Sequence, residues 1–152
     1  MRGVARDPLP RGGPDEERTP AARLESLARE LAAGDRGLWA RAAALYLRAA
    51  ELRGAGDAGA AEDLVVAGHL FYYAAEHDAA LFAFRHAANV YLALGDIAAA
   101  ARTLRDGAWV AHQAGLTLQA RELGEWSQVL TRPQPQPQGG QRQLLFGAAP
   151  RS

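Results

Sequence analysis

Between residues 19 and 131, apolar and small side chains recur every three or four positions, and short polar or glycine-bearing breaks interrupt them roughly every 20 residues. That rhythm predicts six helices. Thr19 followed by Pro20 fits a capping residue with proline at the first helical position, opening a helix to about Ala33. Leu24, Leu27 and Leu31 share one face of it, and Gly34 ends it. Further helices are expected over Leu38–Arg53, Ala58–Ala75, Ala79–Leu94, Ile97–Gln113 and Thr117–Leu130. The third is apolar nearly all round after Leu64 and should be the most buried. With such short connections, neighbouring helices must run antiparallel, which makes the fold class all-α, a stack of helical hairpins.

The breaks share a chemistry. Gly34-Asp35, Gly56-Asp57 and Gly95-Asp96 each put a glycine, free to close a helix in the left-handed conformation, before an aspartate able to cap the next one. His77-Asp78 keeps the aspartate alone and Gly115 the glycine alone. After the 95–96 break come Ala98 to Ala101, where small side chains let the returning helix approach closely. Gly68, Ala87, Ala88, Gly107 and Ala108 are expected to be further close-packing positions. Two helices per unit give a repeat of about 40 residues, in the range of stacked-hairpin solenoids.

Phe84, Ala87, Ala88, Tyr91, Gly95, Ala100, Leu104 and Gly107 stand at the spacing of one tetratricopeptide repeat. Leu45, Ala49, Leu52, Gly56, Ala61, Val65 and Gly68 form a weaker copy, with Arg48 where an apolar residue is expected and leucine in place of tyrosine. Gly115 and Ala120 belong to a third, partial copy. Residues 38–130 thus resemble a degenerate tetratricopeptide-repeat protein, although the copies lie about 39 residues apart where the family has about 34. The resemblance implies a groove lined by the first helix of each pair, holding a partner's peptide or helix. Carried over to this chain, the groove exposes Phe82, Arg85, Asn89 and Leu92, together with Tyr46, Ala50 and Arg53.

Arg85 and Asn89 lie one turn apart, with His86 alongside, and a guanidinium and an amide can both donate to a carboxylate. The plainer reading is the solvated stripe of an amphipathic helix. Trp109, among Arg102, Arg105, Asp106 and His112, is a candidate exposed anchor, whereas Trp126 has the spacing of a packed face with Leu123 and Val129. His69 and His86 fall symmetrically about the turn at residues 77–78 and, with Tyr73, outline the alternative function: a small bundle with a ligand or metal site. Two histidines are too few to hold a metal, and a half-buried layer with Phe71, Tyr72 and Tyr73 is the simpler expectation. Glu25 and Arg29 read as an outward pair on a capping first helix, and Glu62-Asp63 as first-turn dipole partners or a solvated face.

Composition narrows the function classes. The chain has 17 basic and 17 acidic residues, and every basic residue is arginine, which reads as GC-rich, bacterial coding. Scattered arginines and a pI near 6.9 speak against a nucleic-acid partner. No cysteine is present, so thiol catalysis and cysteine-ligated metals are excluded. There is no phosphate-loop lysine or G-x-S-x-G elbow, no cofactor is implied, and a catalytic role is not expected. No apolar run suits a membrane span and no secretory leader opens the chain, so a cytoplasmic location is expected. Residues 1–18, with Pro8, Pro10 and Pro14, read as a disordered arm. Residues 132–152 read as a Pro/Gln-rich tail carrying a small apolar cluster, Leu144, Leu145 and Phe146. The expected partner is a protein or peptide, with self-association through the apolar ends of the stack as a second expectation.

Overall fold

A computed structural model describes residues 19–133. The sequence expectations for the N-terminal arm and for the tail from residue 134 onward lie outside the described residues. Six α-helices follow one another: α1 (Pro20–Ala32), α2 (Trp39–Arg53), α3 (Ala58–Tyr73), α4 (His77–Ala93), α5 (Ile97–Gln113) and α6 (Thr117–Thr131). A 3-10 turn, Arg36–Leu38, leads into α2, and no strand occurs among the described residues. Each helix packs chiefly on the one before and the one after it, as a stack of antiparallel hairpins does.

Three of the turns have the same geometry. After α3 the amide of Ala75 donates to the Tyr72 carbonyl at 3.0 Å, and that of Glu76 to Phe71 at 2.8 Å. Gly95 and Asp96 repeat the pair onto Leu92 and Tyr91, and Gly115 and Leu116 repeat it onto His112 and Ala111. Each closes the helix through a residue with positive φ: Ala75 at 62°, Gly95 at 79° and Gly115 at 75°. The period is therefore 20 residues per helix. Glycine is the usual occupant of that conformation, and Ala75 adopts it against the steric cost of its Cβ.

Elsewhere the glycine–aspartate marks are used differently from the expectation. Gly34 and Gly56 do not take positive φ; Gly54 does, at 82°, and starts a longer loop. Asp57 and Asp96 do cap the next helices, accepting from the amides of Gly59 at 2.7 Å and Ala99 at 3.0 Å. Asp35 makes no capping bond and instead begins the 3-10 turn, while Asp78 lies inside the first turn of α4.

The core is mostly alanine, with Phe84, Leu64, Leu104, Leu123 and Val110 as its largest fully buried side chains. Phe84 of α4 reaches between α3 and α5 because both present glycine there. A Cβ on Gly68 would stand 2.9 Å from the Phe84 ring, and one on Gly107 3.2 Å from its Cβ. α3 is not buried all round, since Val66 and Tyr73 face solvent. On α1 only Ala21 and Ala28 are buried, and Leu27, expected on a packed face, is 46% exposed.

Candidate functional site

Three surfaces stand out, and the first lies on α4. Its inner face is committed to the core through Ala80, Leu81, Phe84, Ala87 and Ala88, which turns Phe82, His86 and Asn89 outward. Phe82 is 61% exposed, an unusual position for a phenylalanine, and its ring meets that of His86 edge-on at 5.9 Å. Beside it an open hollow of about 260 Å³ is lined by Asp78, Leu81, Phe82 and Arg85 of α4 and Gln119 of α6. Arg85 Nη2 donates to Glu122 Oε2 of α6 at 3.0 Å, whereas its Nε is buried without a hydrogen-bond partner. The guanidinium is thus half used: one edge holds an exposed carboxylate and an inner N–H has no acceptor. An incoming carboxylate can compete with Glu122 for Nη2.

The groove residues expected from α2 are not arranged in this way. Ala42, Ala43, Tyr46, Ala49 and Ala50 are buried on α2, as Ala80, Leu81, Phe84, Ala87 and Ala88 are on α4. The two patterns superpose at 38 residues, which puts Tyr46 in the core position of Phe84, at 8% exposure, and Ala50 beside it. The transferred spacing of 39 was one residue too long, and on a helix one residue is about 100° of rotation.

Arg53 belongs to a second constellation, at the junction of α1, α2 and α3. Its Nε donates to Glu25 Oε1 at 2.6 Å and lies 3.4 Å from Asp63 Oδ2, and its Nη1 reaches Asp57 Oδ2 at 3.3 Å. Glu25 therefore turns toward α2 rather than outward, and Asp63, read from sequence as a first-turn or solvated carboxylate, is only 7% exposed. Burial, then the hydrogen bond and negative charge of Glu25, push the Asp63 carboxyl up to about 8. For Glu25 the burial penalty is outweighed by hydrogen bonds from Arg53 and Asp63 and by the charges of Arg53 and Arg29, which lower it. Glu25 is thus the ionised partner and Asp63 the protonated one. Asp63 Oδ2 is buried with no hydrogen-bond partner, its cation Arg53 Nε standing 3.4 Å away, and the cluster ties α1, α2 and α3 together as a clasp.

The third surface is an aromatic edge at the end of the stack where α3 and α5 finish. Trp39 meets Tyr73 edge-on at 5.9 Å, Tyr73 lies 5.3 Å from Tyr72, and Tyr72 meets Trp109 at 5.5 Å. Arg36 sits over the Trp39 ring and donates from Nε and Nη2 to the Tyr73 carbonyl at 3.2 and 3.0 Å, closing the end of α3. Trp39 Nε1 does the same for α1, through the Ala32 carbonyl at 3.1 Å. Trp109 and Tyr73 remain 54% and 50% exposed. In the sequence Trp109 stands without this company. Trp39 and Arg36 are far from it in the chain, and only the antiparallel stacking brings them together.

The histidines do not converge. His69 packs edge-on against Phe84 at 5.0 Å, and His86 lies against Phe82. Among the described residues, no group of three or more His, Asp or Glu side chains could hold a metal ion. No helix of the described residues is long and apolar enough to cross a membrane. No protein-family profile matches the chain, and neither a curated protein nor a solved structure does.

Proposed function

We propose that the chain is a protein-interaction module that holds a partner's peptide or helix against the outer face of α4 and the start of α6. The observation that carries this reading is Phe82, an exposed phenylalanine beside a hollow that contains a half-satisfied arginine. Phe82 supplies an apolar anchor, Arg85 a carboxylate partner and Asn89 a further hydrogen-bonding group one turn along. Glu122 holds the place of the ligand's acidic group until it is displaced. The fitting ligand is an acidic residue, or a chain-terminal carboxylate, next to a large apolar side chain. A tetratricopeptide-like ancestry and a cytoplasmic location belong to the same proposal.

The test is selection from a displayed random-peptide library on the full chain, with counter-screening on Phe82→Ala and Arg85→Ala. Enriched sequences should pair an acidic group with an aromatic or leucine residue and lose at least tenfold in affinity with either variant, while Trp109→Ala leaves them unchanged. Enrichment of peptides indifferent to Phe82 would remove the α4 face from the account.

A further inference from the structure

We propose that the aromatic edge is the docking surface for the chain's own C-terminal segment, with Leu144, Leu145 and Phe146 laid against Trp39, Tyr72, Tyr73 and Trp109. This interaction is separate from the partner site on α4. The edge is continuous, four rings in successive contact, yet its two outer faces, Tyr73 and Trp109, are about half open to solvent. Aromatic rings in that state are suited to a short apolar ligand. Beyond Pro133 the chain continues for 19 residues, and their one group of consecutive large apolar side chains is Leu144–Phe146.

Reach selects that group over the prolines. α6 leaves the edge at Thr117 and ends at Thr131, so the tail starts about 22 Å away along the helix axis. It must also cross from α6 to α5 and on toward α3, about 10 Å per step. At the roughly 3.1 Å per residue of a proline-rich segment, the five residues from Arg132 to Pro137 can span only about 16 Å, short of Tyr72 and Tyr73. The twelve residues from Arg132 to Leu144 can span about 37 Å at that rise, enough to cover both components. The alternating Pro133–Gln138 stretch acts as the spacer and the apolar triplet as the anchor.

The absence of native cysteine permits a direct test on the full chain. A nitroxide on Gly147→Cys, in uniformly labelled protein, should broaden the indole N–H signals of Trp109 and Trp39 by more than half. Adding Leu144→Ser/Leu145→Ser/Phe146→Ser should restore them. Broadening that the triple substitution leaves unchanged, or signals that never broaden, overturns the proposal. Spin-labelled, isotopically unlabelled chain mixed with labelled chain lacking the nitroxide separates the other occupant. Broadening in that mixture as strong as in the single chain means the tail docks on a second copy, and the assignment to the same chain fails.

Discussion

Around Phe84 three helices meet through one ring and two missing side chains, with Gly68 and Gly107 clearing the space it fills. Around Asp63 three helices also meet, but through charge: Arg53 of α2 stands between Glu25 of α1 and Asp63 of α3. The first junction is intolerant of volume. The second depends on protonation. The face proposed to bind a partner stands on the first, since Phe82 and Arg85 occupy the outer side of the helix whose inner side carries Phe84. α1 depends on the second.

The largest effect should come from emptying the Phe84 site. Phe84→Ala is expected to cost about 3–5 kcal/mol in chemical denaturation, lowering the midpoint of the whole stack. Gly68→Ala should cost about 1–3 kcal/mol, because its Cβ would overlap a ring held on both sides. Gly107→Ala, with its nearest contacts at 3.2 and 3.3 Å, should cost less than Gly68→Ala; the reverse order would mean that the ring yields away from α3.

Arg53→Met tests the other junction. Removing the cation leaves two carboxyl groups facing each other, an expected loss of about 1–3 kcal/mol, with amide exchange accelerating in α1 well before α4 or α5. The pH dependence has a definite sign. Asp63 binds its proton more tightly folded than unfolded, so its contribution is complete below the ordinary carboxylate range and is lost as pH rises through about 8. Glu25, lowered in the fold, contributes in the opposite sense, and its share is lost as pH falls below its usual value near 4.5. Asp63→Asn should flatten the alkaline decline while leaving the acidic one. A decline of undiminished slope in that variant would place the titrating group elsewhere.

The smallest predicted change is a gain. Ala75→Gly should stabilise the chain by about 1 kcal/mol by removing the strain of a left-handed alanine. A thermal melt measures it, and Gly95→Ala should lose a similar amount.

The same contrast explains what the sequence makes legible. Helix boundaries follow from periodicity and caps, which are local, and all six helices fall within two or three residues of the expected positions. The turns were read from glycine, so the break at Ala75, whose geometry is set by Leu70–Tyr72 and Glu76 rather than by its own side chain, was located by His77-Asp78 instead. On α4, the sequence places Phe82, Arg85 and Asn89 on the outer side because that helix has a single apolar face. On α2, alanine occupies so many positions that a one-residue error in register cannot be detected from the pattern, and Tyr46 was turned outward. Asp63 could not be distinguished from a surface carboxylate, because its burial is created by α1 and α2. The aromatic edge is likewise invisible one helix at a time.

Amide exchange of the full chain at pH 6 and pH 9.5, corrected for intrinsic rates and resolved helix by helix, tests the division most directly. The account predicts that α1 and the first turn of α3 lose protection at the higher pH, while α4 and α5, which carry Phe84 and the proposed binding face, keep theirs. Loss spread evenly over all six helices, or an α1 as protected at pH 9.5 as at pH 6, would contradict it.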